Sequence, residues 1–134
     1  EPVPAIYWQD ENDSVKSLDD INAAYTILVF WSTACPHCTE SMPVLHEALL
    51  NKLNVEVDVE VVAIAIDDDR EYWANVTSVL PGWIHLIAED QWDNQWVKDY
   101  GIRATPSFFL LDADKKLLGK APGVAGVLQL LDQE

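Results

Sequence analysis

The sequence predicts an α/β domain whose sheet is mostly parallel and ends in an antiparallel pair of strands. Apolar runs rich in β-formers alternate along the chain with stretches in which apolar residues recur at helical spacing. The runs are apolar at consecutive positions, as in strands that helices cover on both faces. Near the carboxyl end, two such runs flank the turn sequence DADK, which predicts a hairpin. A hairpin cannot belong to a purely parallel sheet, so the sheet is predicted to be mixed.

The first quarter of the chain is mixed in character. Residues 1–16 include Pro2 and Pro4 and are expected to form an extended lead-in. A short helix is predicted over residues 17–24. The continuous apolar run TILVFW at residues 26–31 then predicts a strand that is buried on both faces.

The middle of the chain predicts a helix, a strand and a second helix. The first helix covers residues 35–53, where apolar side chains recur every three or four positions, and Pro43 should kink it. The run VEVVAIAI predicts a buried strand over residues 59–66. Three aspartates at residues 67–69 end that strand and offer N-caps for a helix over residues 70–79.

The last third of the chain predicts five shorter elements, one of which is a helix that a glycine ends, as is typical of helix termini. These elements are a strand over 84–88, a helix over 91–100 that ends at Gly101, strands over 107–111 and 116–120, and a helix over 124–131. Neither a linker nor an internal repeat is visible. We therefore expect residues 1–134 to form one domain.

Composition excludes several classes of function. Of 134 residues, 49% are hydrophobic, which is too many for a disordered chain. The 8 basic and 23 acidic residues give a formal charge of -15, so the chain should repel nucleic acid and anionic lipid. Since its apolar runs fall short of the roughly 18 residues of a membrane helix, we expect no membrane insertion by this segment.

The two cysteines, Cys35 and Cys38, are the strongest candidates for chemistry. They lie too close together to close a structural loop, and the four cysteines of a zinc site are absent. The pair follows a buried strand and begins a helix, where free backbone N–H groups and the helix dipole stabilise a thiolate. Cys35 is therefore predicted to be the nucleophile, with a lowered pKa, and Cys38 the resolving thiol. His37 can stabilise the reduced thiolate, and Trp31 lies close enough in sequence to line the site.

Two stretches carry a resemblance to a known family. TILVFWSTACPHCTESMP resembles the active-site segment of the TlpA/ResA-like thiol–disulfide oxidoreductases, which have a thioredoxin fold, and its CPHC motif is like that of DsbA. YGIRATPSF at residues 100–108 resembles the thioredoxin segment that carries a cis-proline. The resemblance implies a central mixed sheet flanked by helices, with an extra strand–helix insertion within residues 67–92. It also implies that Pro106 is cis and that Thr105 offers backbone hydrogen bonds to a substrate.

The same resemblance implies what the protein acts on and where. We expect catalysis by Cys35, Cys38, His37 and Pro36, and substrate binding by Thr105, Pro106 and Trp31, with no cofactor and no metal. The partners would be protein thiols or disulfides and an unidentified redox partner. The chain itself is expected to be a monomer. We expect a periplasmic or otherwise extracytoplasmic location, because of the resemblance and because the chain starts at Glu1 without Met.

Three positions depart from the family pattern. Ala34 replaces the Trp that commonly precedes the first cysteine. Val29 stands where many thioredoxins have a buried Asp that accepts the proton of the second cysteine. Ser41 stands where ResA-like reductases have a Glu, and Glu40 is one position away, about 100° around the helix. The usual carboxylate is thus missing, which weakens the reductase interpretation, whereas Pro36-His37 favours an oxidising or isomerising role. The redox direction stays open.

Two other functions are weighed against this one. The cysteines with His37 or His46 could bind a soft metal such as Cu(I). Alternatively, the chain could be an interaction domain that has kept the fold without the activity. His46 and His85 are expected to be packing residues, and Trp73, Trp92 and Trp96 either core residues or a peptide-binding face.

Overall fold

A five-stranded mixed sheet organises the fold. The computed structural model describes residues 3–53, 58–66 and 69–134. The strands, in chain order, are β1 (Tyr7–Gln9), β2 (Val15–Ser17), β3 (Tyr25–Trp31), β4 (Val59–Ala65), β5 (Ile84–Ile87), β6 (Ser107–Leu111) and β7 (Leu117–Ala121). The main sheet has the order β5-β4-β3-β6-β7, and β1 pairs with β2 in a separate hairpin.

The described part of the chain also contains four α-helices. They are α1 (Pro36–Leu53), α2 (Arg70–Thr77), α3 (Gln95–Asp99) and α4 (Val124–Asp132), and Pro43 lies inside α1. Within the described residues none of these helices is both apolar and long enough to cross a bilayer. The predicted α/β order is confirmed from residue 25 onward, except that the extra elements within residues 67–92 run helix before strand, α2 and then β5, rather than strand before helix.

The pairing pattern of the sheet confirms the predicted mixed topology. β3 lies at its centre, parallel to β4 and antiparallel to β6, and β6 forms the predicted hairpin with β7. The carboxyl ends of β3, β4 and β5 consequently lie at one edge of the sheet, and the amino end of β6 lies there too. This edge brings together the cysteine loop after β3 and the proline loop before β6.

The core consists of two apolar clusters, one on each face of the sheet, because successive side chains of a strand point to opposite faces. Val29 and Trp31 belong to the first cluster, with side chains of α1 and α4. Leu28 and Phe30 belong to the second cluster, which the amino-terminal segment and α3 cover. All seven residues of β3 except Tyr25 are buried, as the apolar run predicted.

The amino-terminal segment is not the extended lead-in and helix that the sequence predicts. The predicted helix over residues 17–24 is wrong: Ser17 ends β2, and a single 3₁₀ turn covers Leu18–Asp20. The Asp20 carboxylate accepts the Ser17 backbone N–H at 2.8 Å and caps this turn, but Ile21 is already extended. Pairing of β2 with β1 uses the residue that would have started a longer helix.

The same segment is bound to the rest of the domain by specific contacts. Ile6 and Leu18 are buried in the second core cluster. The Tyr100 hydroxyl donates a hydrogen bond to the Pro4 carbonyl, and burial raises the pKa of that phenol. The buried Lys115 ammonium donates to the Ile21 carbonyl at 2.8 Å. Residues before β3 therefore form part of the core rather than a loose leader.

Two helix termini refine the sequence prediction. The predicted helix over 91–100 is divided, because Asn94 is extended and caps α3 with its side-chain oxygen, 2.8 Å from the Trp96 N–H. Gly101 follows with a φ of 65°, the left-handed geometry expected after a helix. The Asp69 carboxylate accepts the Tyr72 N–H at 3.1 Å and caps α2, as predicted for this stretch. The other two predicted caps, Asp67 and Asp68, lie outside the described residues.

Candidate active site

The cysteine loop is a tight turn between β3 and α1. The Cys35 N–H donates to the Ser32 carbonyl at 3.1 Å, and the Ala34 N–H donates to the Ser32 hydroxyl at 3.1 Å. Because β3 is buried on both sides, the loop emerges at a fixed position at the carboxyl edge of the sheet. The turn therefore places Cys35 immediately before the first residue of α1, where the sequence predicted it.

Cys35 and Cys38 form a disulfide, with their Cα atoms 5.3 Å apart. This Cα separation is within the ordinary range for a disulfide. The two sulfurs differ in their surroundings: Cys35 is half-buried, whereas Cys38 is completely buried. A reactant arriving from solvent can reach Cys35 but not Cys38.

A backbone N–H group of α1 points to the Cys35 sulfur. The Cys38 N–H lies 3.2 Å from Cys35 Sγ and points to it as a donor. This N–H is among the first of the helix, where the dipole also favours negative charge. Both effects stabilise a thiolate at Cys35 when the disulfide is reduced.

The proline loop lies directly against the same sulfur. The Thr105–Pro106 peptide bond is cis, and the Thr105 carbonyl oxygen is 3.6 Å from Cys35 Sγ. The Ser107 hydroxyl donates to the Ala104 carbonyl at 2.7 Å and braces the loop. Thr105 and Pro106 are both half-buried, so part of this loop faces solvent beside the half-buried Cys35.

The environment of Cys38 is apolar. It belongs to the first core cluster together with Val29, Trp31 and Met42, and the buried members of that cluster carry no ionisable side chain other than the thiol. Glu40 is exposed on α1, and the Ser41 hydroxyl donates to the His37 carbonyl. The structure thus brings no carboxylate from these positions into the core beside Cys38.

The remaining predicted site residues divide into exposed and buried groups. Pro36 and His37 are exposed at the start of α1, next to Cys35. Trp31 is completely buried in the core cluster that contains Cys38, and its indole Nε1 has no hydrogen-bond partner among the described residues. Trp31 thus presents no surface to a substrate in this state, contrary to the expectation that it lines the site. The alternation of β3 explains this: Trp31 points the same way as Val29, toward α1.

The two other histidines form a separate cluster around Trp83. His46 Nε2 is 2.8 Å from the Pro81 carbonyl, and His85 Nε2 is 2.9 Å from the Leu80 carbonyl. Burial lowers the pKa of His85. Within the described residues, no three His, Cys, Asp or Glu side chains lie close enough together to hold a metal ion.

The proposed tryptophan surface is not formed. Trp73 packs against the first core cluster and Trp96 against the second, on opposite faces of the sheet. Trp92 is 46% exposed. The sequence predicted free N–H groups at the start of α1 and backbone hydrogen bonding by Thr105, but it did not single out the Cys38 N–H and the Thr105 carbonyl as the atoms next to Cys35 Sγ.

Comparison with known proteins identifies the family. A family model described as Thioredoxin-like matches residues 22–117. The chain belongs to the thioredoxin-like family. The confirmed fold of this thioredoxin-like protein, with its mixed sheet flanked by helices, agrees with the match.

Solved structures extend the comparison. A domain of a possible thiol-disulfide isomerase from Cytophaga hutchinsonii is 28% identical, with a TM-score of 0.80 over 99% of this chain and 90% of that one. A conserved protein of unknown function from Bacteroides fragilis is 25% identical, with a TM-score of 0.76 over 97% and 96%. A thiol-disulfide oxidoreductase from Bacteroides fragilis, 21% identical with a TM-score of 0.77 over the whole of both chains, shares the fold. No curated protein sequence matches.

The family and the geometry agree on the class of chemistry. A thioredoxin-like domain with two cysteines bonded at the start of a helix supports a disulfide oxidoreductase. Such an enzyme acts on protein thiols.

Proposed function

We propose that this thioredoxin-like protein exchanges disulfides with protein substrates, and that Cys35 is the sulfur that forms the mixed disulfide. The observation that carries the proposal is the difference in exposure between the two bonded sulfurs: Cys35 is half-buried and Cys38 fully buried. Thiol–disulfide exchange needs the attacking sulfur to approach one sulfur of the disulfide directly. In this geometry only Cys35 can be approached.

The exchange has two balanced steps. A substrate thiolate attacks Cys35 Sγ, the Cys35–Cys38 bond breaks, and the electron pair of that bond leaves with Cys38 as a thiolate. A second substrate thiolate then attacks the substrate sulfur of the mixed disulfide and releases Cys35 as a thiolate. The substrate gains a disulfide, and the enzyme becomes a dithiol. The reverse sequence reduces a substrate disulfide, with Cys38 resolving the mixed disulfide.

The neighbouring residues have distinct roles in this proposal. His37, at the start of α1 next to Cys35, stabilises the Cys35 thiolate as an imidazolium or as an N–H donor, and Pro36 fixes the first turn of the helix. The Thr105–Pro106 loop, 3.6 Å from Cys35 Sγ at the Thr105 carbonyl, receives an extended substrate segment by backbone hydrogen bonds. Trp31 supports the loop from the core and does not touch the substrate.

We further propose that the pair is oxidising relative to thioredoxin. Three groups favour the Cys35 thiolate: the Cys38 N–H at 3.2 Å, the amino end of α1, and His37. A thiolate that is stabilised in the reduced form makes the disulfide a stronger oxidant. Among the described residues the buried polar or charged side chains are Thr26 and Lys115, so no buried carboxylate is available to take the Cys38 proton when this thiol resolves a mixed disulfide.

We propose an extracytoplasmic location and a separate redox partner. Disulfides persist in oxidising compartments, whereas cytosolic thiols are kept reduced. The Cytophaga hutchinsonii neighbour is described as a possible thiol-disulfide isomerase, which supports a proposal that the enzyme acts on the disulfides of other proteins. The partner would reoxidise Cys35 and Cys38 after each turnover, and the chain would act as a monomer.

The test is the redox equilibrium with glutathione together with the pH dependence of alkylation of the reduced protein. We expect a potential above about -230 mV, and alkylation of Cys35 that persists well below the free-thiol pKa of about 8.5. Cys38→Ser is the matched variant for alkylation, because it keeps Cys35 and its backbone donors. A potential at or below about -270 mV would refute the oxidising direction. An ordinary Cys35 pKa, or alkylation that occurs equally at Cys38 in Cys35→Ser, would refute the exchange mechanism.

A further inference from the structure

An open groove of about 530 Å³ lies between the amino-terminal hairpin and the edge strand β5. Its apolar lining comes from Trp8 and Ile21 on the amino-terminal side and from Ile84 and Leu86 on β5. All four side chains are half-buried and pack on the second core cluster. The groove is therefore a partly covered continuation of the core, in contrast to the disulfide, whose buried sulfur belongs to the first cluster.

The strand that forms one wall of the groove is an edge strand. β5 is bonded to β4 and is the last strand on its side of the five-stranded sheet. In such a strand, alternate residues direct their N–H and C=O groups away from the sheet, toward the next strand that could pair. An extended segment that adds to β5 would place alternate side chains on the same face as Ile84 and Leu86.

The rim of the groove has an acidic excess. Its charged lining residues are three acids and one base: Asp10, Glu11 and Asp20 against Lys16. The chain as a whole carries a formal net charge of -15. A second copy of this chain would bring the same negative charge, so it is disfavoured as the occupant. An occupant with basic residues is favoured by charge complementarity.

We propose that this groove binds an extended segment of another protein, with alternating apolar residues and flanking lysines or arginines, by strand addition to β5. The apolar side chains cover Trp8, Ile84 and Leu86, and the flanking cations lie near Glu11 and Asp20. This docking site is independent of the disulfide chemistry, since neither cysteine lines it.

Two synthetic peptides test the proposal: the basic KKVTVTVKK and the matched acidic EEVTVTVEE. Binding to the full chain is followed by backbone amide chemical shifts and titrated at two salt concentrations. We expect saturable shifts at residues 84–86 and in the hairpin with the basic peptide alone, and an affinity that falls with salt. Equal binding of the acidic peptide, or shifts that spread over the surface without a centre at β5, would overturn the proposal.

Matched variants localise the binding. Leu86→Lys places a charge in the groove, and Leu117→Lys places the same charge on β7, the opposite edge strand, where Leu117 is 47% exposed. We expect about a tenfold or greater loss of affinity for the first and less than about a twofold change for the second. Glu11→Lys, at an exposed position, should weaken binding severalfold, while Glu47→Lys on α1 should not. Should Leu86→Lys fail to fold, the Glu11→Lys result decides.

Two further measurements separate this proposal from its alternatives. The double variant Cys35→Ser/Cys38→Ser should lose disulfide exchange and bind the basic peptide as the unmodified chain does. Loss of peptide binding in that variant would overturn the independence of the groove. Sedimentation of the chain alone gives its oligomeric state, and a dimer that Leu86→Lys dissociates would assign the groove to a second copy and overturn the proposal.

Discussion

A carboxyl group introduced at Val29 tests the dry, apolar environment of Cys38. Val29 is completely buried in the middle of β3, where it is paired with Ala63 on β4 and Phe108 on β6. It shares the first core cluster with Cys38, whose buried members include no cation. Val29→Asp therefore places a carboxyl group in the cluster that contains the resolving thiol, at the position where many thioredoxins have their buried Asp, without any compensating cation.

The magnitude follows from the full burial of this position. Fully buried carboxyls titrate roughly 3 pH units or more above their ordinary value of about 3.9, and each unit corresponds to about 1.4 kcal/mol. The folded variant then holds a proton that the unfolded chain releases, so its stability falls as the pH rises above about 4. We expect Val29→Asp to lose about 4 kcal/mol more than Val29→Asn between pH 4 and pH 8, in addition to a loss of about 1–3 kcal/mol that both share.

The assay combines urea unfolding with the kinetics of a mixed disulfide. Unfolding free energies are measured at pH 4, 6 and 8 for both variants. In parallel, the reduced enzymes react with a small disulfide, and the rate at which Cys38 releases the product from Cys35 is followed. The carboxylate accepts the Cys38 proton, so release should be at least about tenfold faster in Val29→Asp than in Val29→Asn at a pH where the acid has ionised.

One result would refute this reasoning. If the two variants lose the same free energy at every pH, the carboxyl at position 29 is hydrated or paired, and the site around Cys38 is not apolar. The argument that the resolving thiol lacks a base would then fail.

Three further changes have outcomes that the structure fixes, each read by urea unfolding. Gly126→Ala should lower the free energy of unfolding by about 1–2 kcal/mol, because the new methyl would lie 2.8 Å from the Ala121 Cβ, which outweighs the better helix propensity. His85→Gln should reduce the loss of stability between pH 7.5 and pH 5.5. Burial lowers the pKa of His85, so the unfolded chain takes up a proton first as the pH falls through about 6.5. Tyr100→Phe should cost about 1 kcal/mol through the lost hydrogen bond to the Pro4 carbonyl.

Each of these has a contrary outcome. Gly123→Ala is the control for Gly126→Ala, because no atom of the described residues lies within 4 Å of its added Cβ. A Gly126→Ala protein as stable as its parent would mean that α4 shifts freely on β7. An unchanged pH dependence in His85→Gln would show that His85 takes up its proton as readily in the folded state as in the unfolded chain. A neutral Tyr100→Phe would show that the amino-terminal segment is held by apolar contacts alone.

The central sheet could be predicted from sequence because its strands are buried on both faces. A strand that is buried on both faces needs apolar side chains at consecutive positions. The runs that form β3 and β4 could therefore be recognised in the sequence without knowledge of the strands beside them. The cysteine motif was equally visible, since Cys35 and Cys38 are the only cysteines and follow such a run. Local chemistry and local pattern agreed at these positions.

The errors fall where the structure depends on distant contacts. The predicted helix over 17–24 is replaced by the end of β2 at Ser17 and a 3₁₀ turn over Leu18–Asp20, because pairing of β2 with β1 across a turn at Asp10 outweighs local preference. Trp31 was expected near a substrate because of its place beside the motif, yet the strand's alternation turns it into the core. Neither the contact between the Thr105 carbonyl and the Cys35 sulfur nor the groove beside β5 has a signature in residue type.

The burial of the amino-terminal segment has a practical consequence for anyone who works with fragments of this protein. A fragment cut to the limits of the family match, residues 22–117, would discard Ile6 and Leu18 from one side of the sheet and Val127 and Leu131 from the other. Such a truncated fragment would expose apolar core surface on both sides of the sheet while keeping both cysteines. An inactive fragment in a disulfide-exchange assay would then reflect misfolding or aggregation, and would say nothing about the reactivity of the two cysteines.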